Sequence, residues 1–265
     1  APDSTPAIAA TGQVGVIDSD TGIAITAAVA GTAGNSITIT LVDTGEVDEA
    51  LAVTLDGNDI TVTLATDGTG DISSTAADVI AIITSDASTL ITAANATGSD
   101  GSGIMIAEAK VSLTGGVAEP FPLNTPVLVL GNRTKAAKLD STGKGLGTLP
   151  AAMTAIFEQI GAMVVVVRVA EGIDDETTAS NVIGTVTGGK ATGLLALKDA
   201  QAQLGVKPRI LGVPGLDALT GVVPALVSVA DDLRAFAYAY ISAATMEAAV
   251  TARDSYGSKR LMLLW

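Results

Sequence analysis

The side chains behind most enzyme chemistry are missing from this sequence. It contains no Cys and no His. Thiolate nucleophiles, disulfides, thiolate or imidazole metal sites and Ser-His-Asp relays are therefore excluded. Carboxylates, Lys and glycine-rich loops remain. Gly143-Lys144-Gly145-Leu146-Gly147-Thr148 has the composition of a phosphate-binding loop. A Walker loop, however, needs Gly at 138 and Ser or Thr at 145, where this chain has Lys138 and Gly145. A dinucleotide fingerprint needs G-x-G-x-x-G directly after a strand. The spacing G-x-G-x-G predicts instead a flexible loop ending at a helix cap.

Three Asp/Gly clusters invite a calcium reading, because Ca²⁺ takes several carboxylate and carbonyl oxygens. They are Asp18-Ser19-Asp20-Thr21-Gly22, Asp67-Gly68-Thr69-Gly70-Asp71 and Ser99-Asp100-Gly101-Ser102-Gly103. None keeps EF-hand spacing or a nonapeptide period, so turns between strands are the expectation. Asp174-Asp175-Glu176 reads as a solvated loop leading into a helix, whose N-terminus favours acids. Asp231-Asp232 sits near a helix end, with one acid expected beside Arg234. No acid, base and nucleophile converge. No catalytic, cofactor-binding or metal-ligating residue is assigned, no cofactor is expected, and the chain does not read as an enzyme.

The elements that would position such groups fall into two differently made pieces. Residues 1–118 hold 15 acidic residues and one basic residue, Lys110, and so carry the whole net charge of −14. The remainder is neutral and contains all seven aromatic residues. The acidic balance excludes nucleic-acid binding driven by phosphate neutralisation and argues against an anionic membrane surface. The strongest apolar run, Met163 to Val167, is stopped by Arg168 and is far shorter than a membrane span, so no membrane insertion is expected. The first four residues do not read as a signal peptide, and the lack of a disulfide framework fits an intracellular or virion setting.

The first piece reads as a small β-rich α+β or sandwich-like domain. Ser36 to Val42 alternates apolar and polar residues, and 51–55 and 60–64 are further strands around an Asp56-Gly57-Asn58-Asp59 turn. Ser73-Ser74-Thr75 offers an N-cap to a helix with Ala76, Val79, Ile80 and Ile83 on one face. A last strand is expected at 104–113. The second piece alternates strands at 127–130, 163–169, 209–213, 235–241 and 261–264 with helices at 149–159, 194–203, 222–233 and 246–256. Near-continuous Val, Ile and Leu in those strands predicts an open α/β parallel-sheet sandwich, covered on both faces.

Five blocks of the second piece carry a resemblance. They are Phe121-Pro122-Leu123-Asn124-Thr125-Pro126-Val127-Leu128-Val129, Gly147 to Ala152, Gly161 to Val169, Leu204 to Asp217, and Leu233 to Tyr238 with Ser258 to Trp265. In this order and spacing, residues 118–265 resemble the tail sheath proteins of contractile bacteriophages and R-type pyocins. The resemblance implies a tail-sheath-like α/β domain at 118–265, a short sheath segment at 1–10, and an inserted acidic β-rich domain at 11–117 similar to virion-surface modules. An N-terminal arm and a C-terminal domain of the family are expected to be missing from the chain.

That resemblance implies a mechanical function. Sheath subunits assemble as stacked six-fold rings around a tail tube and contract on a baseplate signal, driving the tube through the host envelope. The partners implied are further copies, the tube protein and the baseplate; the location is the phage tail, assembled in the host cytoplasm. Arg133, Lys135, Lys138, Lys207 and Arg209 are candidates for pairing with acids on tube or neighbour, against ordinary surface charge. The acidic domain is expected to project outward from the ring, where copies are furthest apart. The alternative function is a surface or adhesive binding module carried by that domain.

Overall fold

The computed structural model describes residues 4–265. They form two compact units, Pro6–Glu119 and a second that joins the residues before Pro6 to Pro120–Trp265. No helix among the described residues is long and apolar enough to cross a membrane.

The Pro6–Glu119 unit is built from two sheets and one helix. Strands β1 (Thr11–Val14), β2 (Ile23–Ala27) and β6 (Ile91–Asn95) make an antiparallel sheet in the order β1-β2-β6. Strands β3 (Thr38–Val42), β4 (Ala52–Asp56), β5 (Asp59–Thr63) and β7 (Glu108–Ser112) make a mixed sheet, β4-β5-β3-β7. Period-2 alternation sets their faces: Ile39 and Leu41 of β3 and Ile60 and Val62 of β5 point into one core with Ile23 and Ile25 of β2. Gly57, at φ 60°, supplies the left-handed residue of the tight β4–β5 hairpin. Helix α1 (Ala76–Asp86) buries Ala76, Val79 and Ile83 in the same core. Its start is a reciprocal cap: the Asp78 amide donates to the Thr75 hydroxyl (3.2 Å), and the Thr75 amide donates to the Asp78 carboxylate (2.9 Å).

The two ends of this unit meet. Ile8 donates to the Val117 carbonyl at 2.9 Å and Val117 to that of Ile8 at 3.0 Å, and Thr11 and Thr114 exchange a second pair at 2.8 and 2.9 Å. The Asn35 side chain clamps the ribbon, accepting from the Gly116 amide (2.8 Å) and donating to its carbonyl (2.9 Å). Only glycine fits at 116, since a Cβ would lie 2.4 Å from the Gly31 carbonyl oxygen. Strands β1, β3 and β5 all run away from this neck, as the registers Thr11↔Thr26, Thr38↔Ser112 and Thr38↔Asp59 require. Loops 15–22, 43–51, 64–75 and 96–107 therefore gather at the opposite pole. They carry nine of the 15 acidic residues of the unit, so its charge is concentrated away from its neck.

The α/β unit departs from a single parallel sheet. Strands β8 (Pro126–Leu130) and β9 (Met163–Val167) pair antiparallel, Leu130 opposite Met163. The reason is the connection. Helices α2 (Arg133–Ala137) and α3 (Leu149–Gln159) pack on each other and return the chain to the end it left, where a single crossover helix would carry it back to the other. Helix α4 (Asp175–Ile183) follows, then a small hairpin of β10 (Val186–Thr187) and β11 (Lys190–Ala191). The helix expected at 194–203 is a 3-10 stretch, Gly193–Asp199, running into the short α5 (Ala200–Leu204).

Beyond it, β12 (Ile210–Gly212), β13 (Phe236–Tyr240) and β14 (Leu261–Leu264) are parallel, in that order. Helix α6 (Val222–Leu233) links the first two and α7 (Met246–Asp254) the last two. Helix α6 buries Val222, Val223, Leu226, Val229, Ala230 and Leu233, a stripe at helical spacing, in one core with Leu211, Ala237, Ala239 and Leu261 of the sheet. A second core joins Phe121, Val129, Leu139, Met153, Phe157 and Val166. Both ends of the segment that brackets the other unit are fixed here. The Thr5 amide donates to the Lys138 carbonyl (3.0 Å), and the Arg168 guanidinium donates to that of buried Phe121 (2.8 Å).

Candidate functional site

Many of the polar groups singled out by the sequence are tied to nearby backbone. In the glycine loop, the Asp140 carboxylate accepts from the amides of Lys144 (3.1 Å) and Gly145 (2.7 Å). A phosphate would have to displace an anion already built into the loop, and like charges resist that. Thr148 caps α3 without a side-chain hydrogen bond, and Pro150 opens its first turn.

The acidic clusters behave as turns. Asp67 accepts from the Thr69 hydroxyl (2.6 Å) and from the amides of Thr69 (2.8 Å) and Asp71 (3.1 Å), and these donors, the hydroxyl foremost, hold its carboxyl below the usual value. Asp100 accepts from the Ser102 amide (2.9 Å). The clusters at 18–22 and 99–103 do come together, through the Asp100 amide on the Asp20 carboxylate (3.2 Å) and the Gly103 amide on the Asp20 carbonyl (3.1 Å). Among the described residues no three acidic side chains converge as a metal site would require.

Asp174 is the N-cap of α4, accepting from the Thr177 amide at 2.7 Å, and Asp175 and Glu176 occupy the first turn. Asp231 and Asp232 are both exposed, and their partners are not Arg234. Asp232 pairs with Lys198 (3.0 Å), while Asp231 accepts from the Ser258 hydroxyl (2.8 Å) near Arg260. Arg234 takes a left-handed conformation (φ 53°) as the C-cap of α6, which turns the chain away from its own helix.

The basic candidates are largely structural. Arg133 donates to the Phe157 carbonyl (2.6 Å) and Lys135 to that of Leu128 (2.7 Å), tying α2 to α3 and β8. Arg209 reaches the Leu233 and Arg234 carbonyls at 3.5 Å. Lys138 is exposed and Lys207 half-buried.

The feature the sequence reading missed is apolar. On β12, β13 and β14 the residues that do not face α6 are Ile210, Phe236, Tyr238, Tyr240, Met262 and Leu264, and most of them are exposed. The expectation of cover on both faces does not hold for this sheet in the chain as it stands. The signal was the strict alternation Phe236-Ala237-Tyr238-Ala239-Tyr240, which marks two unlike faces.

Comparison with known proteins gives the chain relatives that share one name. Over 158 residues it is 44% identical to the tail sheath protein of Escherichia phage P2. The chain resembles phage tail sheath proteins. It is also 38% identical over 153 residues to the major tail sheath protein of Serratia phage KSP20, and 36% over 143 residues to a prophage major tail sheath protein of Pseudomonas aeruginosa. The match to the P2 sheath protein covers 56% of this chain but 38% of the relative, so the chain spans well under half the length of the sheath proteins it matches. No family model matches the chain.

Proposed function

We propose that this chain is part of a structural subunit of a contractile phage tail sheath, which forms stacked six-fold rings around the tail tube and shortens on a baseplate signal to drive the tube through the host envelope. The observation that carries this reading is the 44% identity to the P2 sheath protein, over a span about as long as the α/β unit. The work is mechanical rather than catalytic, a reading supported by carboxylates and glycines spent on caps and turns. Its partners are further copies of itself, the tube protein and the baseplate, without nucleic acid or membrane insertion. It belongs in the virion tail and is assembled in the host cytoplasm. We read the α/β unit as part of an open sandwich, supported by the parallel β12–β13–β14 sheet, and Pro6–Glu119 as an inserted module, supported by its meeting ends.

Electron microscopy of the full-length gene product tests the reading. Rings or tubes are expected, and monodisperse particles alone, at ionic strengths that polymerise sheath proteins, overturn it. A second function, recognition by the module, is favoured by its four loops gathered opposite the neck. A glycan and cell-binding screen with the whole chain is expected to register binding if that reading holds; uniform silence removes it.

A further inference from the structure

We propose that the outer face of the β12–β13–β14 sheet is a docking face for polypeptide that the longer sheath proteins carry outside the matched span, laid on it within the same subunit as an apolar, uncharged segment. Parallel sheets occur almost only with both faces covered, because their strands are apolar on both sides. Here the inner face is complete, with Leu211, Ala237, Ala239 and Leu261 buried under α6. On the outer face Ile210 is 74% exposed, Tyr240 53%, Leu264 49% and Met262 46%. The register makes these residues one surface: Tyr238 lies between Gly212 and Met262, and Tyr240 lies beside Leu264.

No outward residue of the three strands is charged. An ionic partner would therefore bury an unpaired charge on this surface, whereas an apolar one buries only what water already disfavours. Contiguous apolar surface of this kind marks an interaction site on a soluble protein.

The length of the relatives selects the occupant. The match covers 38% of the P2 and of the Serratia phage sheath proteins, so more than half of each subunit remains to be placed around this unit. A segment tethered to the sheet meets it at an effective concentration near the millimolar range, well above that of a second copy in solution. The inference rests on the sheath reading for the length of the subunit, but not on ring formation.

The test begins with the chain as it stands and the apolar dye ANS. Dye binding is expected, and Tyr238→Lys with Met262→Lys is expected to reduce it at least threefold, while Thr251→Lys on α7 leaves it unchanged. Undiminished dye binding in the double variant overturns the proposal, since the face is then not open in solution. The chain is next joined to the unmatched portion of the P2 sheath protein. Dye emission is expected to fall at least threefold, hydrogen exchange of β12 and β14 amides to slow at least tenfold, and Met262→Lys to reverse both. A fusion that binds dye as strongly as the chain overturns the proposal. So does concentration-dependent self-association of the chain that Met262→Lys abolishes, because a second copy then owns the face. A closed face in a protein that forms no rings or tubes counts against the sheath reading and leaves this inference standing.

Discussion

The acidic unit and the α/β unit solve the same problem to different degrees. In Pro6–Glu119 two sheets and a helix enclose a core of Ile, Val, Leu, Ala and one Met, Met105, with no aromatic residue, and the entry and exit strands close on each other. In the α/β unit the aromatic side chains are divided. Phe121 and Phe157 fill a core, while Tyr238, Tyr240 and Trp265 lie on the surface. The difference lies in the surface each unit leaves open. The module closes its core under a net charge of −14, with exposed apolar side chains such as Val29 and Ile106 outside that core, whereas the neutral unit leaves Tyr238, Tyr240, Met262 and Leu264 together on one sheet face.

Core truncations should separate the two units most sharply. Ile39→Ala in the module and Leu226→Ala in α6, both fully buried, are each expected to cost about 2–5 kcal/mol. All seven aromatic residues belong to the α/β unit, so tyrosine and tryptophan fluorescence reports on it alone, while far-ultraviolet circular dichroism sees both. In guanidinium titrations Ile39→Ala should move the dichroism transition much further than the fluorescence transition, and Leu226→Ala should move fluorescence. Equal shifts of both signals by either variant would erase the distinction between the units.

A smaller effect comes from the cap of α1. Thr75→Ala removes one half of the reciprocal cap and should cost about 1 kcal/mol in the dichroism transition. The Thr75 hydroxyl, then its amide, hold the Asp78 carboxyl below its ordinary value of 3.8. A carboxyl whose folded value is depressed stabilises the fold above its unfolded value and loses that contribution as pH falls through the folded value. Stability of the module should therefore decline as pH drops below about 4, and the decline should be shallower in Thr75→Ala. A decline of unchanged steepness would show that the Thr75 donors do not set the acid response.

In the α/β unit, Asp140→Ala frees two loop amides to water and should cost under about 1 kcal/mol. Its sharper signature is faster hydrogen exchange at Lys144 and Gly145. The smallest effect is expected from Lys110→Ala. Its pair with Asp59 is about half exposed on both sides, and guanidinium midpoints should not resolve the change. A measurable loss would give the single basic residue of the module a role that its exposure does not imply.

Much of this architecture was legible wherever side chains alternate strongly. Strands β3, β4, β5, β8, β9, β13 and β14, helices α3 and α6, and the Thr75 cap all follow from period, turn residues and capping chemistry. Strands β1, β2 and β6 were not, because Thr, Ala and Gly make up most of their residues and give little contrast between faces. The expected strand at 104–113 shortens to Glu108–Ser112, since Ile104 is taken by a bridge to Thr75. Antiparallel pairing of β8 with β9 was hidden for another reason: composition records that strands are apolar, while their direction depends on how many helices lie between them. At the candidate site, the sequence revealed which residues were polar but not that Asp140 fills the glycine loop, a contact set by backbone positions four and five residues on.

The closed neck has a consequence in polymer terms. To the α/β unit, Pro6–Glu119 is a loop of 114 residues whose ends, near Thr5 and Pro120, must be held together. Folded, with Ile8 bonded to Val117, it costs no more to close than a turn of a few residues. Molten, it would impose the closure entropy of a long random chain, a difference of about 3 kcal/mol. The module therefore acts as a staple on the unit that interrupts itself to hold it, and its melting should loosen the α/β fold without the loss of a single contact there.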